Sequence, residues 1–227
     1  MNLEKYKVLL FDLDDTLLDF AKAECEAFKK LLSFYNINFS EEKFLSYKEI
    51  NHELWSSFER GEISNKEVID TRFIKFFNTL GIKVDGLECD NRYRTYLTEG
   101  DQLYAGVRDL LEKLAQSHTL CVASNGIAIT QYKRLDNNDI RKYFENIYIS
   151  EEIGAKKPEQ QFFNKIFEDF SGIDKEKFLI VGDNINADIL GGFNAGIDTC
   201  WINAKNKVNT LEKEPTYIVK NVLELLN

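Results

Sequence analysis

With 227 residues, 44% of them hydrophobic and 30% charged, the chain has the composition of a globular protein. It is long enough for one large domain, or for one domain carrying a smaller insertion. A formal net charge of −9 argues against a nucleic-acid polymer or an anionic membrane as the main partner. Four scattered cysteines without Cys-x-x-Cys spacing argue against a disulfide framework or a thiolate zinc site. No apolar run approaches the ~18 residues of a membrane-spanning helix, and no signal-peptide pattern is visible, so a cytoplasmic protein with reduced thiols is expected.

Val8-Leu9-Leu10-Phe11 reads as a short strand buried in a parallel sheet, and it runs straight into Asp12-Leu13-Asp14-Asp15-Thr16. Three carboxylates that close repel one another, and burying them is costly without a positive partner. The stretch is therefore either a solvated turn or a cation site with a reactive carboxylate. Ala21 to Tyr35 has helical spacing. Ser40-Glu41-Glu42 opens a second helix that ends before Gly61, and Ser64-x-x-Glu67 is a capping box for a third that ends at Gly81. Asp90 to Leu97 completes an all-helical segment.

From Gly106 the pattern alternates. Helices are expected over Val107–Leu114, Ile127–Leu135, Glu159–Phe170, Ala187–Ala195 and Val219–Leu226, and strands over Leu120–Ala123, Ile147–Ile149, Phe178–Val181 and Thr199–Ile202. This alternation implies an α/β fold with a parallel sheet. The first strand must pair with the later ones. Residues 1–16 and 101–227 are then the sheet-bearing core, and residues 17–100 a helical insertion.

Ligands of an open parallel sheet bind beyond the carboxyl ends of its strands. Every polar cluster in the core falls at such an end. Asp12-Leu13-Asp14 follows the first strand, Ser124-Asn125-Gly126 the second, Lys156-Lys157-Pro158 the third, and Gly182-Asp183 with Asp188 the fourth. The set suits phosphoryl transfer through a carboxylate. Asp12 would attack phosphorus and Asp14 would serve as general acid and then general base. Asp183 would join Asp12 in holding Mg²⁺. Ser124 and its neighbour Asn125 would bind phosphate oxygens, and Lys157 would neutralise charge on Asp12 and on the phosphate. Asp188 either serves the site, orienting a lysine or a metal-bound water, or only favours a helix start. Thr16 either assists phosphate binding or caps the turn.

These four motifs, in this order, resemble those of the haloacid dehalogenase-like phosphohydrolases. The resemblance spans essentially the whole chain and implies a Rossmann-like parallel sheet core with an inserted helical cap domain. It also implies that Asp14 gives a main-chain carbonyl to Mg²⁺. Asn51-His52-Glu53-Leu54-Trp55, Gly61-Glu62-Ile63, Ser150-Glu151-Glu152-Ile153-Gly154 and Thr199-Cys200-Trp201-Ile202-Asn203 are similar to the bacterial pyrimidine 5′-nucleotidase branch. That likeness implies a small phosphorylated substrate, a nucleoside monophosphate with a standard or non-standard pyrimidine. Asn184 departs from the family pattern, which has Ser or Thr there. A sugar-phosphate phosphatase shares the same chemistry. A metal-independent 2-haloacid dehalogenase typically lacks the second Asp of the first motif, which this chain has. Helical caps of this kind are expected to open and close, with Gly100 and Gly106 as hinges.

Further readings concern individual residues. Trp55 and Phe58 are expected in the helical core, His52 on a solvated face and His118 at the surface. Lys156 is expected to be a solvated neighbour of Lys157.

Overall fold

A computed structural model describes residues 1–100 and 102–226. Asp101, where the core is expected to resume, and Asn227 lie outside the described residues. The chain forms two compact units, Ala21–Gly100 and Met1–Phe20 with Asp101–Asn227.

The first unit is built from α1 (Phe20–Phe34), α2 (Glu41–Glu59), α3 (Asn65–Thr79) and α4 (Gly86–Leu97). Ser40 accepts from the Lys43 amide at the start of α2, and Ser64 and Glu67 close the capping box of α3. Gly61 and Gly81 follow α2 and α3 with φ of 78° and 71°, the left-handed conformation that ends a helix most cheaply with glycine. The fourth helix starts four residues before the expected Asp90, because Asp85 caps it by accepting from the Glu88 amide. Phe28, Tyr47, Phe73 and Phe76 interlock at its centre, Phe28 stacking on Tyr47 at 4.7 Å between centroids. Buried among them, Asp90 takes Arg72 at 2.6 Å and Arg94 at 2.5 Å. Asn51 links Arg72 to Glu24, so one polar chain ties all four helices. Trp55 packs edge-on against Phe58 in a small apolar cluster, and His52 is exposed, as expected.

The second unit holds a six-stranded parallel sheet. Its strands are β1 (Val8–Phe11), β2 (Thr119–Ser124), β3 (Asn146–Ile149), β4 (Phe178–Gly182), β5 (Asp198–Ile202) and β6 (Tyr217–Val219), in the order β3-β2-β1-β4-β5-β6. The strand period of two sends alternate side chains of β1 to opposite faces. Leu9 and Phe11 join one apolar cluster with α5 (Val107–Leu114), whereas Val8 and Leu10 join another with Phe162, Phe163 and Ile166. Each such side chain contributes about 1.5–3 kcal/mol by leaving water. Leu17 and Leu18 belong to the first cluster, so this unit runs to Phe20 and not to residue 16.

The remaining helices are α6 (Ala128–Asn137), α7 (Ser150–Ile153), α8 (Gln160–Asp169) and α9 (Leu190–Ala195). Three expectations are corrected here. Residues 219–226 are not a helix: Val219 pairs with Ile202 in β6, and only a 3₁₀ turn over Val222–Leu226 follows. The helix expected from Ala187 begins as a π-helical turn over Ile185–Ile189, whose first amides are capped by the Asn184 side chain. His118 is not at the surface but half-buried, and burial lowers its pKa. Among the described residues no helix is long and apolar enough to cross a membrane.

Candidate active site

The strand order turns back on itself beside β1. β2 and β3 lie to one side of it and β4 and β5 to the other, which opens a crevice at the carboxyl ends of β1 and β4. Phe11 is in register with Val181, and the Asp12 amide donates to the Val181 carbonyl at 2.9 Å. Asp12 and Asp183 therefore each stand one residue past the end of adjacent strands.

Lys157 reaches this point from the segment between α7 and α8. Its ammonium is 1% exposed and spends its three protons on Asp12 Oδ1 at 2.8 Å, Asp188 Oδ1 at 2.6 Å and the Ala123 carbonyl at 2.5 Å. Burial acts to deprotonate this lysine, but Asp12 and Asp188 outweigh it and raise its pKa. Lys156 instead turns to Glu159.

Carboxylate oxygens of Asp12, Asp183 and Asp188 all lie within 4.8 Å of one another. Burial pushes the Asp12 carboxyl well above the usual carboxylate range; Lys157 opposes this, and Asp188, Asp14 and Asp183 add to it. Burial, then repulsion from Asp188 and Asp15, raises Asp183 to about 7. One ammonium facing three clustered carboxylates leaves negative charge uncompensated. An all-oxygen donor set with surplus negative charge fits a hard divalent cation such as Mg²⁺. Within the trio Asp188 has both oxygens in use, Oδ1 by Lys157 and Oδ2 by the Asn184 amide at 3.0 Å. Its geometry suits holding Lys157.

The backbone around the trio is tightly specified. A Cβ on Gly182 would lie 2.1 Å from Asp188 Oδ2, so only glycine lets β4 end there. The Trp201 indole N–H donates to the Asp183 carbonyl at 2.9 Å and fixes that peptide. Asn184 supplies by its amide oxygen the cap that a Ser or Thr hydroxyl would give, accepting from the Asn186 and Ala187 amides.

Other expected residues fall differently. Ser124 ends β2, where its Oγ accepts from the Gly126 amide at 3.1 Å and keeps its own proton to donate. Asn125, expected among the phosphate ligands, uses its side chain on the main chain of Lys157: Oδ1 accepts from the Lys157 amide at 2.8 Å and Nδ2 donates to its carbonyl at 2.9 Å. It is a clamp on the lysine. The Asp14 carboxylate stands outside the acidic trio and accepts from Arg134 and, at 2.9 Å, from Gln131. Its side chain is thus not among the clustered metal donors. Thr16 is buried, and its Oγ1 has no partner among the described residues.

Residues 9–202 match the model of the haloacid dehalogenase-like hydrolases. The chain belongs to this family. Among haloacid dehalogenase-like hydrolases it is 41% identical to the HAD-hydrolase YfnB of Bacillus subtilis over 98% of this chain and 95% of that protein. It is 40% identical to the pyrimidine 5′-nucleotidase PynA of Streptococcus pneumoniae, covering 98% and 94%, and 29% identical to the pyrimidine 5′-nucleotidase YjjG of Escherichia coli, covering 97% and 96%. The crystal structure of YfnB bound to magnesium superposes with a TM-score of 0.91 at 40% identity, covering 97% of this chain and 96% of that one. The protein is therefore an enzyme, a hydrolase of this family related to pyrimidine 5′-nucleotidases.

Gln131 and Arg134 escape the motif-based analysis, as does the hydrogen bond from the Trp201 indole to Asp183. Gln131 and Arg134 sit three residues apart in α6, where they read as an ordinary polar face. The available signal was an Arg at helical spacing with Ile127, Gln131 and Leu135, the positions that point inward.

Proposed function

We propose that the protein is a Mg²⁺-dependent phosphomonoesterase that hydrolyses nucleoside 5′-monophosphates, pyrimidine nucleotides among them, through an aspartyl-phosphate on Asp12. The observation that carries this reading is the convergence of Asp12, Asp183, Asp188 and Lys157 at the carboxyl ends of β1 and β4. The two nucleotidase relatives and the magnesium in the YfnB crystal support the substrate class and the metal.

Asp12 and Asp183, with the main-chain carbonyl of Asp14 that the family resemblance implies, would hold Mg²⁺, which when bound offsets the repulsion between the Asp12 carboxylate and the phosphate dianion. The chain's own residues do the rest. Lys157 keeps an Asp12 oxygen oriented and neutralises charge at the phosphate. Ser124 donates its hydroxyl proton to a phosphate oxygen. An Asp12 oxygen forms a bond to phosphorus while the ester P–O bond breaks. The electron pair stays on the departing oxygen, which takes the proton of Asp14. Water then attacks phosphorus and gives its proton back to Asp14; the Asp12–phosphorus bond breaks, and inorganic phosphate leaves.

The test is a phosphate-release screen over nucleoside monophosphates, sugar phosphates and 2-haloacids, with Mg²⁺ and with EDTA. Phosphate release from pyrimidine nucleotides that stops with EDTA is expected. Preference for a sugar phosphate, or halide release in EDTA, contradicts the reading.

The raised pKa of Asp183 adds a pH prediction. The metal-free folded chain keeps a proton at about 7 that the unfolded chain gives up near 3.8. This site therefore subtracts stability as pH rises through that window, and a bound cation removes the penalty. Thermal melts should show Mg²⁺ raising Tm more at pH 8 than at pH 5.5; at pH 8 and a hundredfold excess over Kd the added stability is about 2.7 kcal/mol. Equal shifts at both pH values would count against a carboxylate site at Asp183.

A further inference from the structure

Arg134 is 1% exposed, yet the carboxylate it pairs with, Asp14, is 34% exposed. Burying a guanidinium costs several kcal/mol, and a pair repays this only when its geometry is excellent. Here the geometry is over-determined. Arg134 Nε donates to Gln102 Oε1 at 2.8 Å, which fixes the plane of the fork. Its Nη1 donates both to Asp14 Oδ1 and to Gln131 Oε1, the latter at 3.0 Å. Gln131 then offers its Nε2 to Asp14 Oδ2 at 2.9 Å and to Ser124 Oγ at 3.0 Å. Both oxygens of Asp14 are held, and the same amide also holds the hydroxyl of Ser124. A Cβ on Gly126 would come within 2.6 Å of Gln131 Nε2, so glycine in that turn is what admits the bridge. Arg134 Nη2 has no partner among the described residues, a deficit that helix packing alone gives no reason to keep.

The geometry points to Arg134 and Gln131 as positioning residues that aim the Asp14 carboxyl at the leaving oxygen and couple its place to that of Ser124. The inference rests on the proposed role of Asp14. Loss of aim is felt where the leaving group needs a proton. A nucleoside 5′-alkoxide departs poorly without one, whereas 4-nitrophenolate departs readily. The readout is kcat/KM, which covers steps up to departure of the alcohol and leaves out the later attack by water.

Arg134→Met is expected to lower kcat/KM for uridine 5′-monophosphate by about 10²-fold, the scale of general acid catalysis, and for 4-nitrophenyl phosphate at least tenfold less. Arg134→Lys, which keeps the cation, recovers part of the lost kcat/KM and so narrows the contrast. Gln131→Leu and Gly126→Ala reproduce it without touching the charge, and they carry the test where Arg134→Met folds poorly by circular dichroism. Equal losses on both substrates in all these variants would mean a purely structural role and overturn the inference. Asp14→Asn separates the two levels: a contrast there but not in the Arg134 and Gln131 variants overturns this inference alone, and no contrast in Asp14→Asn removes the acid assignment along with it.

Discussion

Lys157→Met is expected to lose phosphate release by about 10²–10³-fold or more and also to weaken the fold. The variant removes the cation that touches two buried carboxylates and leaves Asp12 and Asp188 facing each other. Breaking a buried pair by removing one partner costs about 3–5 kcal/mol. The sign of the pH dependence follows from Asp12, whose carboxyl burial already raises. Without Lys157 it holds its proton harder still. The variant then comes closest to wild-type stability near the unfolded carboxylate range, at about pH 4, and falls further behind as pH rises. Melts across pH in EDTA check this. A deficit that shrinks with rising pH would mean that Lys157 is not balancing these acids.

Asp12→Asn is expected to separate activity from stability in the opposite way. The amide matches the carboxylate in shape but cannot attack phosphorus, so turnover should fall by on the order of 10⁶, the scale of removing a covalent nucleophile. The fold should not suffer. Asp12 is a buried acid at raised pKa, and its neutral isostere removes that desolvation cost, while Lys157 keeps Asp188 and the Ala123 carbonyl. In EDTA at pH 8 the Tm should hold or rise; in Mg²⁺ it should gain less than wild type, one donor having gone. Activity retained in this variant, with its mass verified, would mean that another group attacks.

How far these features were legible beforehand differs residue by residue. β1 could be read because four apolar residues run directly into acids, and few sequences place Val-Leu-Leu-Phe there unless the strand is buried on both faces. Ser64 and Glu67 announced α3 because a capping box is local chemistry. β6 was hidden because three residues on an edge, with Ile218 exposed, carry too little pattern to outweigh the apolar run behind them. In the site, Asp12, Asp183 and Lys157 could be placed because parallel strands deliver their ends to one rim. Which way a side chain turns there could not. Asn125 faces the main chain of Lys157, and Asp14 faces α6, because of partners 32 and 117–120 residues away. Only the folded register brings those together.

The stereochemical course at phosphorus tests most directly whether Asp12 forms a bond to the transferred group. A nucleoside monophosphate made chiral with oxygen isotopes is hydrolysed in labelled water, and the configuration of the released phosphate is read. Two successive in-line displacements, first by Asp12 and then by water, give net retention. Inversion would mean that water attacks the ester directly and that no aspartyl-phosphate lies on the path.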